Sequence, residues 1–420
     1  MPQTMVEKLI SKKVGRNVKS GELVVASVDL LVSHDGNRPQ APDIFKELGG
    51  ERVFDHKKVK LVIDHAPNVP NQAAASIHQL MRQFANEQEV ELIGPGEGIC
   101  HQIIPERGYV KPGDLVLGTD SHTCTYGAYN VFGTGVGSSD LAAAMLTGKL
   151  WLKVPKSIKI ELKGLLNRGV SPKDIVLYIV KLLRADGATY KALEFSGEGL
   201  ASISVDGRMT MSNMAIEMGA KTAIFPCDEK LEKWLQERNI EKDFVGITAD
   251  ENAVYEREIL IELGMIEPQI SLPSTVDNVK DLREAEGITI NQAVIGTCTN
   301  GRLEDLREAA IILDGKKINP NVRLFVTPAS REVYVKALEE GIITTLIKAG
   351  AIIGVPGCSG CSGGAHFAIP SDGEVVITSA NRNFTGRLGN PKANIYLASP
   401  ATVAMSALQG KITNTKKVVY

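Results

Sequence analysis

The sequence has few cysteines, little net charge and no long apolar run. Six cysteines in 420 residues are too few for a disulfide framework. The 47 basic and 49 acidic residues leave a net charge of −2, without the basic excess that nucleic acids or anionic membranes attract. No stretch approaches the roughly 18 uncharged apolar residues of a membrane span. We therefore expect neither a nucleic-acid partner nor a membrane partner.

The N-terminal segment also lacks the pattern of an export signal. Glu7 lies within residues 1–10, where a signal peptide would have its apolar core. We therefore expect a cytoplasmic protein, in which thiols stay reduced. In that setting a clustered pair of cysteines is better explained by a metal site or a redox pair than by a disulfide.

Short apolar runs alternate with longer helical patterns along the chain, which is typical of parallel sheets covered by helices. Ser171, Ser330 and Ser399 each precede a helical pattern and have the character of an N-cap. The sequence therefore predicts an α/β fold. Strands are predicted at residues 60–63, 114–118, 157–162, 293–296, 322–326, 351–355 and 374–378.

The length of the chain fits two or three domains. Two shifts in composition suggest where the boundaries fall. We expect α/β domains at residues 1–155, 156–275 and 276–420.

Two glycine-rich segments in the last third present cysteines after strand-like runs. Cys298 follows one run, while Cys358 and Cys361 follow another as a Cys-x-x-Cys pair. Ligands bind open α/β sheets at the carboxyl ends of strands, and the glycines let the backbone approach a bulky group. The pair alone fits a redox dithiol, half of a zinc site or an iron–sulfur site. Three thiols with an open fourth position favour a catalytic metal site.

Aspartate and histidine recur where strand-like runs of the first third end. A carboxylate beside an imidazole orients the ring and tunes its pKa, which suits acid–base catalysis. A single histidine of this kind is most often structural, but the repetition after separate runs favours a functional site. The residues are Asp64 and His65, His101, and Asp120 and His122.

Three other histidines, His56, His78 and His366, lack this context and are interpreted as surface or packing residues. The glycines of residues 133–137 superficially resemble a dinucleotide-binding loop. Their spacing differs from that fingerprint, and a helix cap explains them as well.

Arg382 and Arg387 fall in one predicted loop after the run at residues 374–378. Planar guanidinium groups bind carboxylates through paired hydrogen bonds, which makes this loop a candidate anion site. A solvated turn with two incidental arginines explains the segment equally well.

Taken together, these motifs resemble the aconitase family over nearly the whole chain. The similarity is greatest to the branch that contains the large subunits of 3-isopropylmalate dehydratase and homoaconitase. The matching segments are residues 63–65, 101–104, 118–128, 212–220, 296–300, 358–361, 381–387 and 398–402.

The resemblance implies three α/β/α domains with mostly parallel sheets, packed around a central iron–sulfur cleft. It implies a 4Fe-4S cluster held by Cys298, Cys358 and Cys361, with the fourth iron open to the substrate hydroxyl and carboxylate. The implied activity is a hydro-lyase that removes and re-adds water on a substituted malate. The expected substrate is 3-isopropylmalate, as in leucine biosynthesis; homoaconitase and dehydratases of 2,3-dimethylmalate or methylmalate remain alternatives.

The resemblance also implies roles for individual polar residues. Three carboxylate–imidazole pairs are expected around the substrate, and one of them would protonate the leaving hydroxyl. The implied pairs are Asp64 with His65, His101 with Asp120, and His122 with Glu217.

Five further residues receive roles from the same resemblance. Asn213 and Asn381 would support the cluster. Arg382 and Arg387 would bind substrate carboxylates, and His34 falls where the family has another pocket residue.

The chain departs from the usual family pattern between its paired cysteines. The family usually has Gly-Pro there, whereas this sequence has Ser359 and Gly360, with Ser362 and Phe367 following. The spacing of the cysteines is intact, so the departure bears on the shape of the substrate pocket and not on cluster binding.

Single-chain aconitases continue into a fourth, swivelling domain that supplies a general-base serine and further arginines. This sequence stops at Tyr420. We therefore expect a separate small subunit to supply that domain, in a heterodimer or heterotetramer.

Two hypotheses of other classes remain. A cluster-free aconitase-like protein can bind RNA, although the net charge of −2 argues against this here. A zinc or dithiol protein would lack the visible absorbance of an iron–sulfur cluster.

Overall fold

The structure of the protein is a computed structural model, which describes residues 2–36, 40–240, 244–361 and 367–415, apart from the side chain of Ser359. Ser362 and His366, considered above, lie outside the described residues.

Helices and parallel strands alternate along the chain. The three helices predicted to follow serine caps do so: they begin at Pro172, Arg331 and Pro400. The helices are α1 Met5–Val14, α2 Ala41–Glu47, α3 Gln72–Gln88, α4 Cys100–Glu106, α5 Ser138–Thr147, α6 Pro172–Leu183, α7 Val205–Asn213, α8 Glu229–Gln236, α9 Thr297–Asn300, α10 Leu303–Leu313, α11 Arg331–Glu339, α12 Ile342–Ala349 and α13 Pro400–Gln409.

Each of the seven predicted strands has a counterpart in the structure, although the run at residues 351–355 contributes only a two-residue strand. The strands are β1 Leu23–Ser27, β2 Leu30–His34, β3 Val59–Val62, β4 Glu91–Ile93, β5 Leu115–Gly118, β6 Phe132–Gly135, β7 Lys149–Lys153, β8 Ser157–Lys163, β9 Ala192–Ser196, β10 Thr222–Ile224, β11 Arg257–Glu262, β12 Gln269–Ser271, β13 Val279–Asp281, β14 Gln292–Ile295, β15 Arg323–Val326, β16 Ile352–Ile353, β17 Val375–Thr378 and β18 Asn394–Leu397.

Within the described residues the strands form three larger sheets and one two-stranded ribbon. The first sheet has the order β4-β3-β2-β5-β6 and the second β10-β9-β8-β11, and both are parallel throughout. The third has the order β13-β12-β18-β17-β14-β15-β16 and is antiparallel only where β12 pairs. The ribbon pairs β1 with β7. The expected α/β class with mostly parallel sheets is confirmed.

The expected domain boundaries stay predictions. The strands of the first and second sheets fall within residues 1–155 and 156–275, respectively. Strand β12 also precedes residue 276, yet it pairs in the third sheet.

Each large sheet has its own apolar core, and a further apolar cluster joins them. That cluster combines Val62 of β3, Met209 of α7 and the buried side chains of Cys298, Cys358 and Cys361. Side chains of the first sheet and of α7 therefore pack around the cysteines. Among the helices of the described chain, none is both long and apolar enough to cross a membrane.

Gly135, the last residue of β6, packs closely against the segment that carries Asp120. A Cβ atom there would lie 2.8 Å from the carbonyl oxygen of Asp120 and 2.9 Å from the Cα atom of Ser121. Both are backbone atoms, so Gly135→Ala should lower the free energy of unfolding by about 1–3 kcal/mol. Gly94→Ala is the matched control, because a Cβ atom at Gly94 meets nothing within 4 Å. Equal denaturation midpoints for the two variants would contradict the prediction.

Candidate functional site

The predicted site residues lie where parallel strands end. His34 is the last residue of β2, while Asp64 and Asp120 follow β3 and β5 by two residues. In the third sheet, Cys298 follows β14 and Asn381 follows β17. The carboxyl ends of parallel strands lie at one edge of each sheet, which explains why side chains distant in sequence meet here.

The first histidine pair forms a chain of hydrogen bonds. His65 Nδ1 lies 2.6 Å from Asp64 Oδ1, and His65 Nε2 lies 3.0 Å from Asp120 Oδ2. The other oxygen of Asp64 accepts the backbone N–H of Cys100 at 2.7 Å. The His65 ring is therefore held between two carboxylates.

Asp120 also contacts the other two histidines. His101 Nε2 lies 3.1 Å from Asp120 Oδ1, without the alignment of a hydrogen bond. The backbone N–H of His122 donates to Asp120 Oδ1 at 2.6 Å, and His122 Nε2 lies 2.8 Å from Glu217 Oε1. The structure thus brings all three expected carboxylate–imidazole pairs together.

One local expectation was wrong. His101 was placed at the end of a strand-like run, but it lies in the first turn of α4. The glycine before this helix explains the difference: Gly98 has a φ of +135° and packs against Ser330, which turns the chain away from an extended path.

Burial and charge act in opposite directions on these groups. Burial favours the neutral form of His65, but Asp64 and Asp120 outweigh it and raise the pKa of His65 well above its usual value. Burial likewise opposes ionisation of Asp120, yet the imidazoles of His101, His122 and His65 hold its pKa well below the usual value. The site therefore favours an imidazolium next to a carboxylate.

His122 and Glu217 show the same balance of effects. Burial and the nearby Arg382 oppose the charge on His122, but Asp120 and Glu217 raise its pKa. Burial opposes the charge on Glu217, whereas His122 and then Arg382 lower its pKa.

The three expected ligand thiols are buried, and two of them contact the same amide. Asn381 Nδ2 donates to Cys298 Sγ at 3.3 Å, and Cys361 Sγ lies 3.6 Å from Asn381 Oδ1. A hydrogen bond between the Cys358 and Cys361 thiols raises the pKa of Cys358 and lowers that of Cys361. Cys298 and Cys361 thus meet at Asn381, and Cys358 adjoins Cys361.

Asn213, Asn381 and Arg387 place polar groups around these sulfur atoms. Asn213 Oδ1 accepts the amide N–H of Asn381 at 3.0 Å, which orients that amide towards Cys298. Arg387 Nη2 lies 2.8 Å from Cys361 Sγ, and the charge of Cys361 raises the pKa of Arg387. N–H donors of this kind stabilise thiolate sulfur.

Arg382 lies on the imidazole side of the site. Its Nε is 2.8 Å from Glu217 Oε1, and its Nη2 donates to Ser121 Oγ at 3.2 Å. The two arginines of the loop therefore contact different parts of the site: Arg387 contacts a thiol, and Arg382 contacts the carboxylate partner of His122.

His34 and Phe367 were expected to shape the pocket. The His34 ring stacks on the ring of His65 with centroids 4.0 Å apart, and its Nε2 is 3.9 Å from Asp120 Oδ2. Phe367 instead packs edge-on against Phe325 in a small apolar cluster, with centroids 5.1 Å apart. Phe367 is therefore a packing residue of the third sheet.

Sequence reasoning missed two buried basic residues that hold the site's loops. Arg302 donates to the carbonyl oxygens of Cys298 and Thr299 at 2.7 and 2.6 Å. Lys173 donates to the carbonyl oxygens of Ser379 and Ala380 at 2.9 and 2.7 Å, and burial lowers the pKa of Lys173 to about 7.

A local signal for both residues was present in the sequence. Arg302 is the N-cap of α10, and Lys173 lies in the first turn of α6. A basic side chain is unfavourable at a helix N-terminus, where the helix dipole is positive. Its occurrence there indicates that a group outside the helix binds it.

His78, interpreted as a surface or packing residue, is a packing residue that also makes a polar contact. His78 is buried in α3, and its Nε2 lies 3.1 Å from Asp35 Oδ2. His56, by contrast, is exposed. No signal near His78 identifies Asp35, because the two are far apart in sequence.

A chain of hydrogen bonds runs from the Cys298 loop to Glu106. Arg302 Nε donates to Gln102 Oε1 at 3.1 Å, and Gln102 Nε2 donates to Glu106 Oε1 at 2.7 Å. The Ser330 hydroxyl also donates to Glu106 Oε1, at 2.9 Å. Burial raises the pKa of Glu106 to about 7.

Glu106→Gln tests the electrostatic cost of this carboxylate. The pKa of Glu106 is higher in the folded state than the usual value of about 4.3, so its contribution to stability is complete below about pH 4 and is lost as the pH rises through 7. The variant keeps the acceptor oxygen but cannot ionise. Between pH 5 and pH 8 the wild type should lose about 2 kcal/mol of unfolding free energy relative to the variant. Denaturant titrations at both pH values measure this.

The exposed Glu339→Gln is the control for the Glu106 experiment. It should follow the wild type at both pH values. Parallel pH profiles for wild type and Glu106→Gln would contradict the prediction.

The chain is similar to known proteins over nearly its whole length. Residues 7–410 match the Aconitase family (aconitate hydratase). The chain is 47% identical over 419 residues to a protein of Elusimicrobium minutum named 3-isopropylmalate dehydratase large subunit, with 100% of both chains covered. It is 48% identical over 421 residues to 3-isopropylmalate dehydratase large subunit 1 of Thermotoga maritima, again with 100% of both covered.

A solved structure shows the same fold. The crystal structure of Thermococcus kodakaraensis aconitase X (holo-form) superposes with a TM-score of 0.53 at 13% identity, covering 93% of this chain and 98% of that one. Similarity at this identity speaks for the fold alone. With the family match over most of the chain and the full-length relatives at 47–48% identity, it follows that this chain belongs to the aconitase family.

Proposed function

We propose that this chain is the large subunit of a hydro-lyase that dehydrates and rehydrates 3-isopropylmalate, the reaction type expected in leucine biosynthesis. The observation that carries the proposal is the convergence of three buried thiols and three carboxylate–imidazole pairs on one site. The names of the full-length relatives support the choice of substrate.

Membership in the aconitase family implies a 4Fe-4S cluster, and the donors present fit one. Cys298, Cys358 and Cys361 offer three buried thiols, and cysteine thiolates are the usual ligands of such clusters. Asn381 and Arg387 already direct N–H groups at two of the sulfur atoms. We therefore assign the three cysteines as ligands. When bound, the cluster supplies an iron that acts as a Lewis acid on the substrate hydroxyl.

The arginines are assigned to the substrate carboxylates. Arg387 is only partly buried, and Arg382 lies next to the His122–Glu217 pair. Both guanidinium groups can form charge-assisted hydrogen bonds to a dicarboxylate, each worth about 1.5–3 kcal/mol. Binding at two points fixes the orientation of the malate relative to the imidazoles.

We assign His65 as the group that protonates the leaving hydroxyl. Its pKa is raised, so the ring holds a proton at neutral pH, and 20% of its side chain remains exposed. Asp64 binds Nδ1 and Asp120 binds Nε2, and we assign Nε2 as the nitrogen that delivers the proton. His101 and His122 keep Asp120 ionised and so maintain this charge distribution.

The relatives are named large subunits, which implies a separate small subunit beside them. We propose such a partner for this chain, supplying the general base that removes the proton from carbon. The site residues assigned here provide the hydroxyl's proton and the carboxylate contacts.

Reconstitution tests the proposed function. The anaerobically prepared large subunit alone should be nearly inactive, and adding the small subunit from the same organism should produce turnover of 3-isopropylmalate. Formation of the unsaturated acid, followed by ultraviolet absorbance, gives kcat/KM for 3-isopropylmalate, homocitrate, 2,3-dimethylmalate and methylmalate. We expect the highest value for 3-isopropylmalate.

Each contrary result has a distinct meaning. A higher kcat/KM for another acid would refute the substrate, and full activity of the large subunit alone would refute the need for a partner. No turnover of any of the four acids would refute the proposed function. In that case, specific RNA retention by the cluster-free protein in a filter-binding assay would favour the RNA-binding alternative.

Replacing the ligands tests the cluster assignment. Cys298→Ser, Cys358→Ser and Cys361→Ser should each lose the visible absorbance and most of the bound iron and sulfide, because a serine hydroxyl is a poor substitute for thiolate. Cys227→Ser, at a partly buried cysteine outside the site, should keep both. A colourless wild type containing zinc, or a ligand variant with full iron content, would overturn the assignment.

A further inference from the structure

Asp35 makes an unusual set of contacts beside the proposed acid–base pair. Its Oδ1 accepts the backbone N–H groups of Asp64 at 3.0 Å and His65 at 2.8 Å, and its Oδ2 accepts the N–H of Ala66 at 2.9 Å. Three successive backbone donors therefore converge on one side chain that is only 4% exposed.

His78 completes the surroundings of this carboxylate. Its Nε2 lies 3.1 Å from Asp35 Oδ2 and donates to it, because an ionised carboxylate offers only acceptors. Burial opposes the charge on Asp35, but the hydrogen bond from His78 and the nearby His65 hold its pKa below the usual value. Asp35 is therefore ionised, and His78 of α3 binds its Oδ2 atom.

The segment that Asp35 holds connects both halves of the site. The Asp64 carbonyl oxygen accepts the N–H of Cys358 at 2.8 Å, while the Asp64 and His65 side chains form the hydrogen-bonded pair. A shift of this backbone would move the pair relative to Asp120. Misplacement by about 1 Å is enough to lower a rate by about 100-fold.

We propose that Asp35, held in place by His78, is a positioning residue that fixes the Asp64–His65 pair against Asp120. The proposal rests on the proposed function, because it assigns the pair a role in proton transfer. Neither Asp35 nor His78 is expected to touch the substrate, so their effect should appear in the chemical step and not in substrate binding.

The backbone at Gly36 packs closely against two histidine rings. A Cβ atom at Gly36 would lie 2.9 Å from the His34 ring and 2.9 Å from His65 Cδ2. The His34 and His65 rings are therefore packed closely against the turn that carries Asp35. A shift of Asp35 would therefore displace the stacked rings of His34 and His65.

The first test is Asp35→Asn in the reconstituted complex. An asparagine keeps one acceptor oxygen, but its amide nitrogen cannot accept the N–H groups of Ala66 and His78. We expect kcat to fall by about 10–100-fold, with KM within about threefold of the wild type and matched iron and sulfide content.

Glu194→Gln is the matched control. Glu194 is also buried and accepts two successive backbone N–H groups, those of Met5 at 2.9 Å and Val6 at 3.1 Å, away from the site. It reports the general cost of neutralising a buried, backbone-binding carboxylate. Its kcat should stay within about twofold of the wild type at a temperature where it is folded, whereas an equal loss of kcat in both variants would overturn the proposal.

A pair of substitutions at His78 keeps the test decisive if Asp35→Asn folds poorly. His78→Gln retains an N–H donor at a similar reach and should keep most of the activity. His78→Leu removes the donor and should lower kcat by about tenfold with KM little changed. Equal kcat values for these two variants would also overturn the proposal.

Hydrogen exchange separates this proposal from the proposed function. Peptides that cover residues 64–66 should exchange faster in Asp35→Asn than in wild type or Glu194→Gln, whatever the substrate. If exchange there is unchanged, the anchor is refuted even in an active enzyme. If exchange rises but the wild-type complex turns over none of the four acids, the proposed function fails while the anchoring contact stands.

Discussion

The carboxylate of Asp120, whose side chain is only 13% exposed, is the constraint on which the site depends. An ionised carboxylate removed from water costs several kcal/mol unless donors and cations surround it. Asp120 is surrounded by the rings of His65 and His101 and by the backbone N–H and ring of His122. These histidines come from three separate segments, so one side chain requires the loop after β3, the start of α4 and the segment after β5 to converge. The ordering of the imidazoles follows from that requirement.

Buried negative charge must also be stabilised on the thiol side of the site. Three thiolates in a buried cluster would repel one another and the nearby carboxylates, as the raised pKa of Cys298, about 12 through burial and Cys361, shows. Arg387 contacts Cys361 directly, while Arg302 and Lys173 bind backbone carbonyl groups next to Cys298 and Asn381. Arg302 and Lys173 thus hold the loops beside the proposed ligands, and the Arg302 guanidinium brings positive charge near Cys298. Both functions explain why basic residues occupy helix N-termini here.

The sequence was most informative where a local pattern determines position. An apolar run followed by a polar residue identifies the carboxyl end of a buried strand, and this located Asp64, Asp120 and Cys298. Serine caps located three helices for an equally local reason. Asp35 and His78 could not be paired in this way, because their contact joins residues 43 positions apart on different elements.

His101 shows a different limit of pattern reading. Its side chain was assigned to the correct site, but the element that carries it was wrong. The recurrence of Asp and His identified the residue, whereas the helix depends on the turn at Gly98, which packs against Ser330 from the third part of the chain. A tertiary contact therefore decided a local conformation.

The chemistry of the residues assigned to the substrate suggests which features of a substituted malate this chain recognises. The groups assigned to the substrate on this chain are arginines, imidazoles and carboxylates, which recognise the two carboxylates and the hydroxyl that all substituted malates share. An alkyl substituent is distinguished by apolar contact, where each methylene is worth only about 1–3 kcal/mol. A polar, electrostatically constrained site gains little from such contacts, since apolar surface beside Asp120 or Arg382 would strip these groups of compensating partners. Selection of the alkyl group is therefore best placed on a surface separate from the acid–base residues. The proposed small subunit would supply such a surface and leave the network around Asp120 unchanged.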